Sequence, residues 1–315
     1  MKKQVSLTEF MSSVITEQEA DGRWSTAHVY SATLSALTAF VQGREIPFGA
    51  VSRLWLKEFE TWLRNARQCK MNTVSTYMRM LRATYNRGVA AGVAKYIPGL
   101  FDAVYTGVER EHKRVLDART MHRLLYAEPC QPLTPEVEES RKWLQVMFQL
   151  QGMPFVDFAH LRHSDYDPQK HLLTCHRQKT GTPLVVHLTP TMIKWIEQHR
   201  NAADGSSPYL LPILSGQKQG FAEHVEYERA LARLNRNLHK LARMQGVDAR
   251  ISSYTARHTW ATLAKHCHIP EGLICDALGH TSVKTTETYL KSFDSSSLRK
   301  ANSKVIACVQ RAVTS

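Results

Sequence analysis

The sequence predicts a mostly α-helical protein with a small β-sheet, in which an all-helical N-terminal domain precedes a mixed α/β domain. Three observations predict this. Stretches 49–66 and 71–91 repeat apolar residues with the helical period. HLLTC (171–175) and PLVVHL (183–188) are short β-type runs around RQKTGT, a hairpin with Gly181 in its turn. Within 98–115, Pro98-Gly99 and the charged run EREHKR interrupt the helical pattern, which places a domain boundary there.

In the first half, Trp55, Phe59 and Trp62 stand at helical spacing. Val74, Met78, Leu81, Tyr85 and Val89 then recur at steps of four, three, four and four, making one apolar stripe. The face beside it carries Ser75, Arg79, Arg82 and Asn86, with Lys70 and Asn72 at its start. Six basic residues and no acidic one lie between Arg64 and Gly88. Solvated faces usually mix signs, so a face this uniformly basic, with hydroxyl and amide groups, suits a phosphate backbone.

In the second half, Thr134-Pro135-Glu136 reads as an N-cap, a first-turn proline and a first-turn acid. The helix runs through Trp143, Val146, Met147 and Leu150 to a stop near Gly152. After the hairpin, helices are expected over 190–201, 225–244, 255–266, 270–278 and 282–291. Trp143, Trp195 and Trp260 read as core aromatics. In the tail, Asp294 to Ser297 reads as a cap, and Val305, Ile306, Val309 and Val313 form an apolar stripe.

Composition narrows the function. The chain has 315 residues and a net charge of +13, which points to a polyanionic partner, nucleic acid being the common one. No apolar run approaches the ~20 residues of a membrane span, and the N-terminus does not read as a signal peptide. The six cysteines form no CxxC pair, which fits reduced thiols in the cytoplasm. His266, Cys267, His268, Cys275 and His280 do not share one helical face at ligand spacing, so no metal site is expected. A two-metal nuclease would need a carboxylate cluster that the sequence lacks.

The densest chemistry lies in YTARHTWATLAKH and LGHTSVKTTETYL. Metal-free phosphodiester transfer needs a nucleophile, cations on the non-bridging oxygens and a proton donor for the leaving oxygen. Tyr289 can be the nucleophile, Arg257 a bidentate phosphate clamp, and His280 and His258 their partners. Lys179, at a hairpin tip, can supply the proton. Taken singly, each of these residues is more often structural.

As an ordered set, they resemble the tyrosine recombinase (phage integrase) family. Its box, roughly H-x-x-R-H-T/S-x-A-T, is similar to Tyr254-Thr-Ala-Arg257-His258-Thr-Trp-Ala-Thr. Its L-G-H followed by a tyrosine is similar to Leu278-Gly279-His280 and Tyr289, and its hairpin K-T-G to Lys179-Thr180-Gly181. NTVSTYMRMLRATYNRGV resembles the family's core-binding domain, as in integrases and DNA invertases of Bacteroidetes-type bacteria. The resemblance implies a SAM-like core-binding domain over 1–107 and a catalytic domain over 112–315, ending in a tail helix. It implies strand exchange through a 3′-phosphotyrosine, in integration, excision or inversion, without a metal or nucleotide cofactor. Tyr289, Arg257, His280, Lys179 and Tyr254 would be catalytic, and His258 would join the DNA contacts. The partners would be double-stranded DNA sites and three further copies of the chain. The free protein would be a monomer in the cytoplasm, associated with the nucleoid. In the family the tail helix docks on a neighbouring protomer.

The sequence departs from the family's pattern at two places. Tyr254 stands at the box's first histidine, where its hydroxyl can still donate to phosphate. More seriously, Pro154 occupies the place of the family's first catalytic arginine. Relatives with a G-M/I-P-F-V-D segment often carry arginine just before the glycine, where this chain has Gln151. Either Arg162 or Arg141 supplies the charge, or the chain is a catalytically weakened DNA-binding protein of the same fold. Asp157 matches the family's acidic residue and reads as an orienting group.

Overall fold

The computed structural model describes residues 5–109, 115–129, 131–267, 269–279 and 295–311. The chain divides into two compact units, Met1–His112 and Lys113–Ser315.

The first unit contains helices α1 (Leu7–Ala20), α2 (Trp24–Phe40), α3 (Arg53–Asn65) and α4 (Met71–Ala90). Sequence sets the helix starts. Ser6 and Glu9 form a reciprocal capping box on α1, and the Ser52 hydroxyl accepts the Trp55 N–H at the head of α3. The expected stripe is the packed one: Val74, Met78, Leu81 and Tyr85 are buried with Leu7, Met11, Leu37, Leu56, Phe59 and Leu63. Phe40 sits between Trp55, Phe59 and Trp62, with ring centroids 5.6, 5.2 and 5.6 Å away.

Pro98-Gly99 does end the helical pattern, but the chain does not leave the unit there. Leu100, Phe101 and Val104 are buried in the same core. Arg53 donates to the Pro98 carbonyl at 2.8 Å, and the Tyr105 N–H donates to the buried Glu60 carboxylate at 2.7 Å. The expected linker stretch therefore begins as part of the N-terminal core.

The second unit contains α5 (Ala118–Leu125), α6 (Pro135–Gln149) and the short α7 (Phe155–Ala159). Three strands follow, β1 (Tyr166–Asp167), β2 (Leu172–His176) and β3 (Pro183–His187). Next come α8 (Pro190–His199), α9 (Phe221–Met244), α10 (Ser253–His266), α11 (Glu271–Leu278) and α12 (Ser295–Arg311). The sheet is antiparallel in the order β1-β2-β3, with Leu173 opposite Val186 and Cys175 opposite Leu184. Those four side chains face the core, as the two-residue period of a strand requires. Of the expected helices, 282–291 lies outside the described residues. Helix α10 starts two residues earlier than its apolar pattern indicates. The Thr255 hydroxyl accepts the Ser252 N–H, and Asn235 of α9 accepts the Ser253 N–H, so polar capping places Tyr254 in the first turn.

Helix α12 is the expected tail helix, and the docking on a neighbouring copy that the resemblance implies concerns the assembled protein. The helix packs on its own unit, burying Ala301, Val305 and Val309. Asn302, also buried, accepts the Trp260 indole N–H at 3.0 Å and donates to the Gln149 carbonyl at 2.6 Å. An apolar stripe with one satisfied polar anchor seats this helix on its own unit.

Candidate active site

Helix α10 presents the motif residues at different depths. Tyr254 is half exposed, and its ring centroid lies 5.3 Å from that of His258, one turn on. Arg257 is buried, with relative exposure of 5%. Its guanidinium donates through Nη2 to the Leu278 carbonyl at 2.6 Å and through Nη1 to the Gly152 carbonyl at 3.4 Å. Burial, and then the charge of Arg177, push its pKa down to about 10, so Arg257 remains a cation at neutral pH.

Two turns bring these carbonyls to Arg257. Gln151 and Gly152 both have positive φ, 60° and 69°. A Cβ on Gly152 would lie 2.8 Å from the Arg257 Cα, so only glycine lets this turn approach α10. Leu278 closes α11, and a Cβ on Gly279 would lie 3.0 Å from the Arg177 Cγ. The Leu278-Gly279 step is therefore seated on the base of the β2–β3 hairpin.

Arg177 is the residue that the sequence reading missed. One position beyond β2, it keeps the inward parity of Leu173 and Cys175 and is buried at 7% exposure. Its Nη1 donates to the same Leu278 carbonyl at 2.9 Å. Its Nε lies 2.9 Å from Asp157 Oδ2 without an aligned N–H, making an ionic contact rather than a hydrogen bond. Asp157 also accepts the Gln178 N–H at 2.9 Å, which fixes the hairpin over α7. Burial raises the Asp157 carboxyl above its ordinary range, against the opposing Gln178 N–H and the charges of Arg177, Arg257 and His160.

The buried Arg141 donates to the carbonyls of Leu125 and Ala127, at 3.2 and 2.7 Å, and faces Glu138. Arg162 is exposed, and its backbone bridges to Tyr209. Gln151 is buried, and its Nε2 has no partner. Lys179 stands exposed at the hairpin tip, two residues beyond Arg177. His280 and Tyr289 lie outside the described residues.

On α4, the expected phosphate-facing set separates. Lys70, Arg82 and Asn86 are exposed, and Arg79 is half-buried with Nη2 3.3 Å from Thr76 Oγ1. Ser75 is fully buried and donates to the Gly107 carbonyl. Asn72 holds the backbone of Glu109 at both its N–H and its carbonyl, at 2.8 and 3.0 Å. These two residues bind the unit's own 107–109 segment, a neighbour that no helical wheel can display.

The sequence profile of the phage integrase SAM-like domain matches residues 6–99, and that of the phage integrase family matches residues 114–296. The tyrosine recombinase XerC of Chlamydia trachomatis serovar L2 is 25% identical over 143 residues. That match covers 45% of this chain and 44% of XerC, so it spans less than half of the relative's length. The fold is similar to that of lambda integrase (residues 75–356) bound to DNA, with a TM-score of 0.60 at 13% identity, covering 89% of this chain and 93% of that one. It is also similar to a lambda integrase tetramer bound to a Holliday junction, with a TM-score of 0.60 at 12% identity, covering 96% of this chain and 79% of that one.

Proposed function

The chain belongs to the phage integrase family, and on that premise we propose that it is a site-specific DNA recombinase that cuts and rejoins duplex DNA through Tyr289. The observation that carries this reading is the buried Arg257 of the Tyr254-Thr-Ala-Arg257-His258 motif, beside a second guanidinium, Arg177, which faces the Asp157 carboxylate. Two guanidinium groups drawn to one carbonyl suit a phosphodiester, whose non-bridging oxygens carry negative charge.

In the reaction, the Tyr289 phenolic oxygen forms a bond to phosphorus while the bond from phosphorus to the 5′ oxygen breaks. The phenol gives up its proton, and the departing 5′ oxygen receives one, for which Lys179 is placed at the hairpin tip. The product is a 3′-phosphotyrosine and a free 5′ hydroxyl. Attack by another 5′ hydroxyl reverses these steps, so rejoining needs no external energy. Arg257 binds the non-bridging oxygens, and Tyr254, His258 and His280 complete the surroundings of the phosphate. Exposed Arg82, Asn86 and Lys70, with Arg79, hold the DNA backbone. Four copies would assemble on two duplexes, as the lambda integrase tetramer does on its junction. No described helix is long and apolar enough to cross a membrane, and we place the protein at the nucleoid.

One observation favours a second reading, a DNA-binding protein with weakened chemistry: the neutral, buried Gln151 at the expected arginine position. The test is covalent trapping on a nicked duplex, selected for binding from a random-sequence pool. Tyr289→Phe should bind as the parent does yet form no adduct on denaturing gels. A parent that binds the duplex tightly but never forms an adduct supports the second reading.

A further inference from the structure

We propose that Arg177 is a catalytic residue, supplying through the hairpin the second phosphate-binding cation that Gln151 and Pro154 cannot. This rests on reading the chain as a recombinase, and it assigns a role that the resemblance does not give to any position of this sequence.

Four observations converge on Arg177. First, its guanidinium shares one acceptor with Arg257, the Leu278 carbonyl, at 2.9 and 2.6 Å. Two guanidinium groups donating to one oxygen are neighbours by construction. Second, Arg177 uses Nε and Nη1 for its contacts, which leaves Nη2 without a partner among the described residues. A guanidinium held by one edge can present another to an oxyanion. Third, the Asp157 carboxylate lies 2.9 Å from Arg177, and the charge of Arg257 acts on it as well. A buried like-charge pair is costly unless an anion joins it, and the transferred phosphate is that anion. Fourth, Arg177 and Lys179 lie two residues apart in one turn that Asp157 secures through the Gln178 N–H. The same hairpin would therefore deliver a charge clamp and a proton donor together.

The competing role is purely structural: Arg177 would merely pin the Leu278 carbonyl and the turn at Gly279. The two roles respond differently to the charge on the substrate. A clamp that neutralises a non-bridging oxygen loses its purpose when that oxygen is replaced by a methyl group. A structural pin does not.

The experiment uses the full chain and a nicked duplex, selected for binding to the parent protein and cleaved by it. The duplex is made twice, with a normal phosphate or a neutral methylphosphonate at the scissile position. On the normal phosphate, Arg177→Ala should slow adduct formation about a hundredfold relative to the parent. On the methylphosphonate, the gap between variant and parent should narrow to less than about tenfold. Each gap is taken within the same preparations, so a partly unfolded variant lowers both rates alike and cancels. If Arg177→Ala does not fold, Arg177→Lys is read by the same comparison. An equal penalty on both substrates, or a variant as fast as the parent on phosphate, overturns the proposal. A parent that forms no adduct on any binding duplex instead overturns the recombinase reading on which it rests.

Discussion

The indole N–H of Trp260 donates to the side-chain oxygen of Asn302 at 3.0 Å, tying the helix that carries Arg257 to the tail helix. Both groups are buried, and the Asn302 amide continues to the Gln149 carbonyl. Asn302→Ala would strand a donor and an acceptor in the core. The variant should lose about 3 kcal/mol of stability in urea unfolding. Ser303→Ala, at an exposed neighbour, should lose almost none. Equal losses would show that α12 contributes nothing through this anchor.

The division of α4 into exposed and inward residues can be read in salt titrations. Arg82→Ala should reduce the slope of log K for DNA against log salt by about one. Ser75→Ala should leave that slope unchanged and lower stability by about 1 kcal/mol, because its hydroxyl serves the Gly107 carbonyl. A slope change with Ser75→Ala would return that residue to the DNA face.

Asp157 makes stability depend on pH. Burial raises its pKa from an ordinary 3.8 in spite of the opposing Gln178 N–H, Arg177, Arg257 and His160. The folded state therefore holds this proton more tightly than the unfolded chain. The contribution to stability is full below the unfolded value and declines as pH rises through the raised folded value. Asp157→Asn cannot titrate. Unfolding measured from about pH 3.5 upward should show the parent losing stability relative to the variant across that window. A difference that stays flat, or moves in the parent's favour, would contradict a raised pKa.

Gly152→Ala tests the close approach to Arg257. Alanine at positive φ costs about 1–2 kcal/mol by itself. Gly181 has nearly the same φ, 68° against 69°, but nothing within 4 Å of an added Cβ. Gly181→Ala thus isolates the backbone cost. Gly152→Ala should lose clearly more, since its Cβ would meet the Arg257 Cα at 2.8 Å. Matching melting temperatures for the two variants would mean that the turn can move away.

Much of this arrangement was legible in the sequence. The apolar stripe of α4, the hairpin around Gly181 and the Tyr254-to-Thr262 motif all depend on short-range period and turn chemistry, which one sequence records directly. What was not legible depends on contacts between distant segments. Ser75 stands on the basic side by helical spacing, but its neighbour is Gly107, thirty-two residues on. Arg177 continues the inward parity of its strand, which sequence could have indicated. Its approach to Arg257 runs through the Leu278 carbonyl, 101 residues away. The apolar stripe of the tail announced a docking helix without naming its groove. Asn302 and Trp260 decide that, from positions 42 residues apart.

The carbonyl shared by Arg177 and Arg257 belongs to the last residue of α11. The end of a helix carries the negative pole of its aligned peptide dipoles, equivalent to roughly half an elementary charge. This pole faces the two cations where a second carboxylate would otherwise be needed to balance them. A partial, fixed counter-charge has a consequence that a carboxylate would not. It quiets the repulsion between the guanidinium groups without adding a further full ion partner to the Asp157 carboxylate that Arg177 already faces. If the two cations bind the phosphate as proposed, they are held together before any substrate is present, and part of the reorganisation that accompanies charge development is made in the fold.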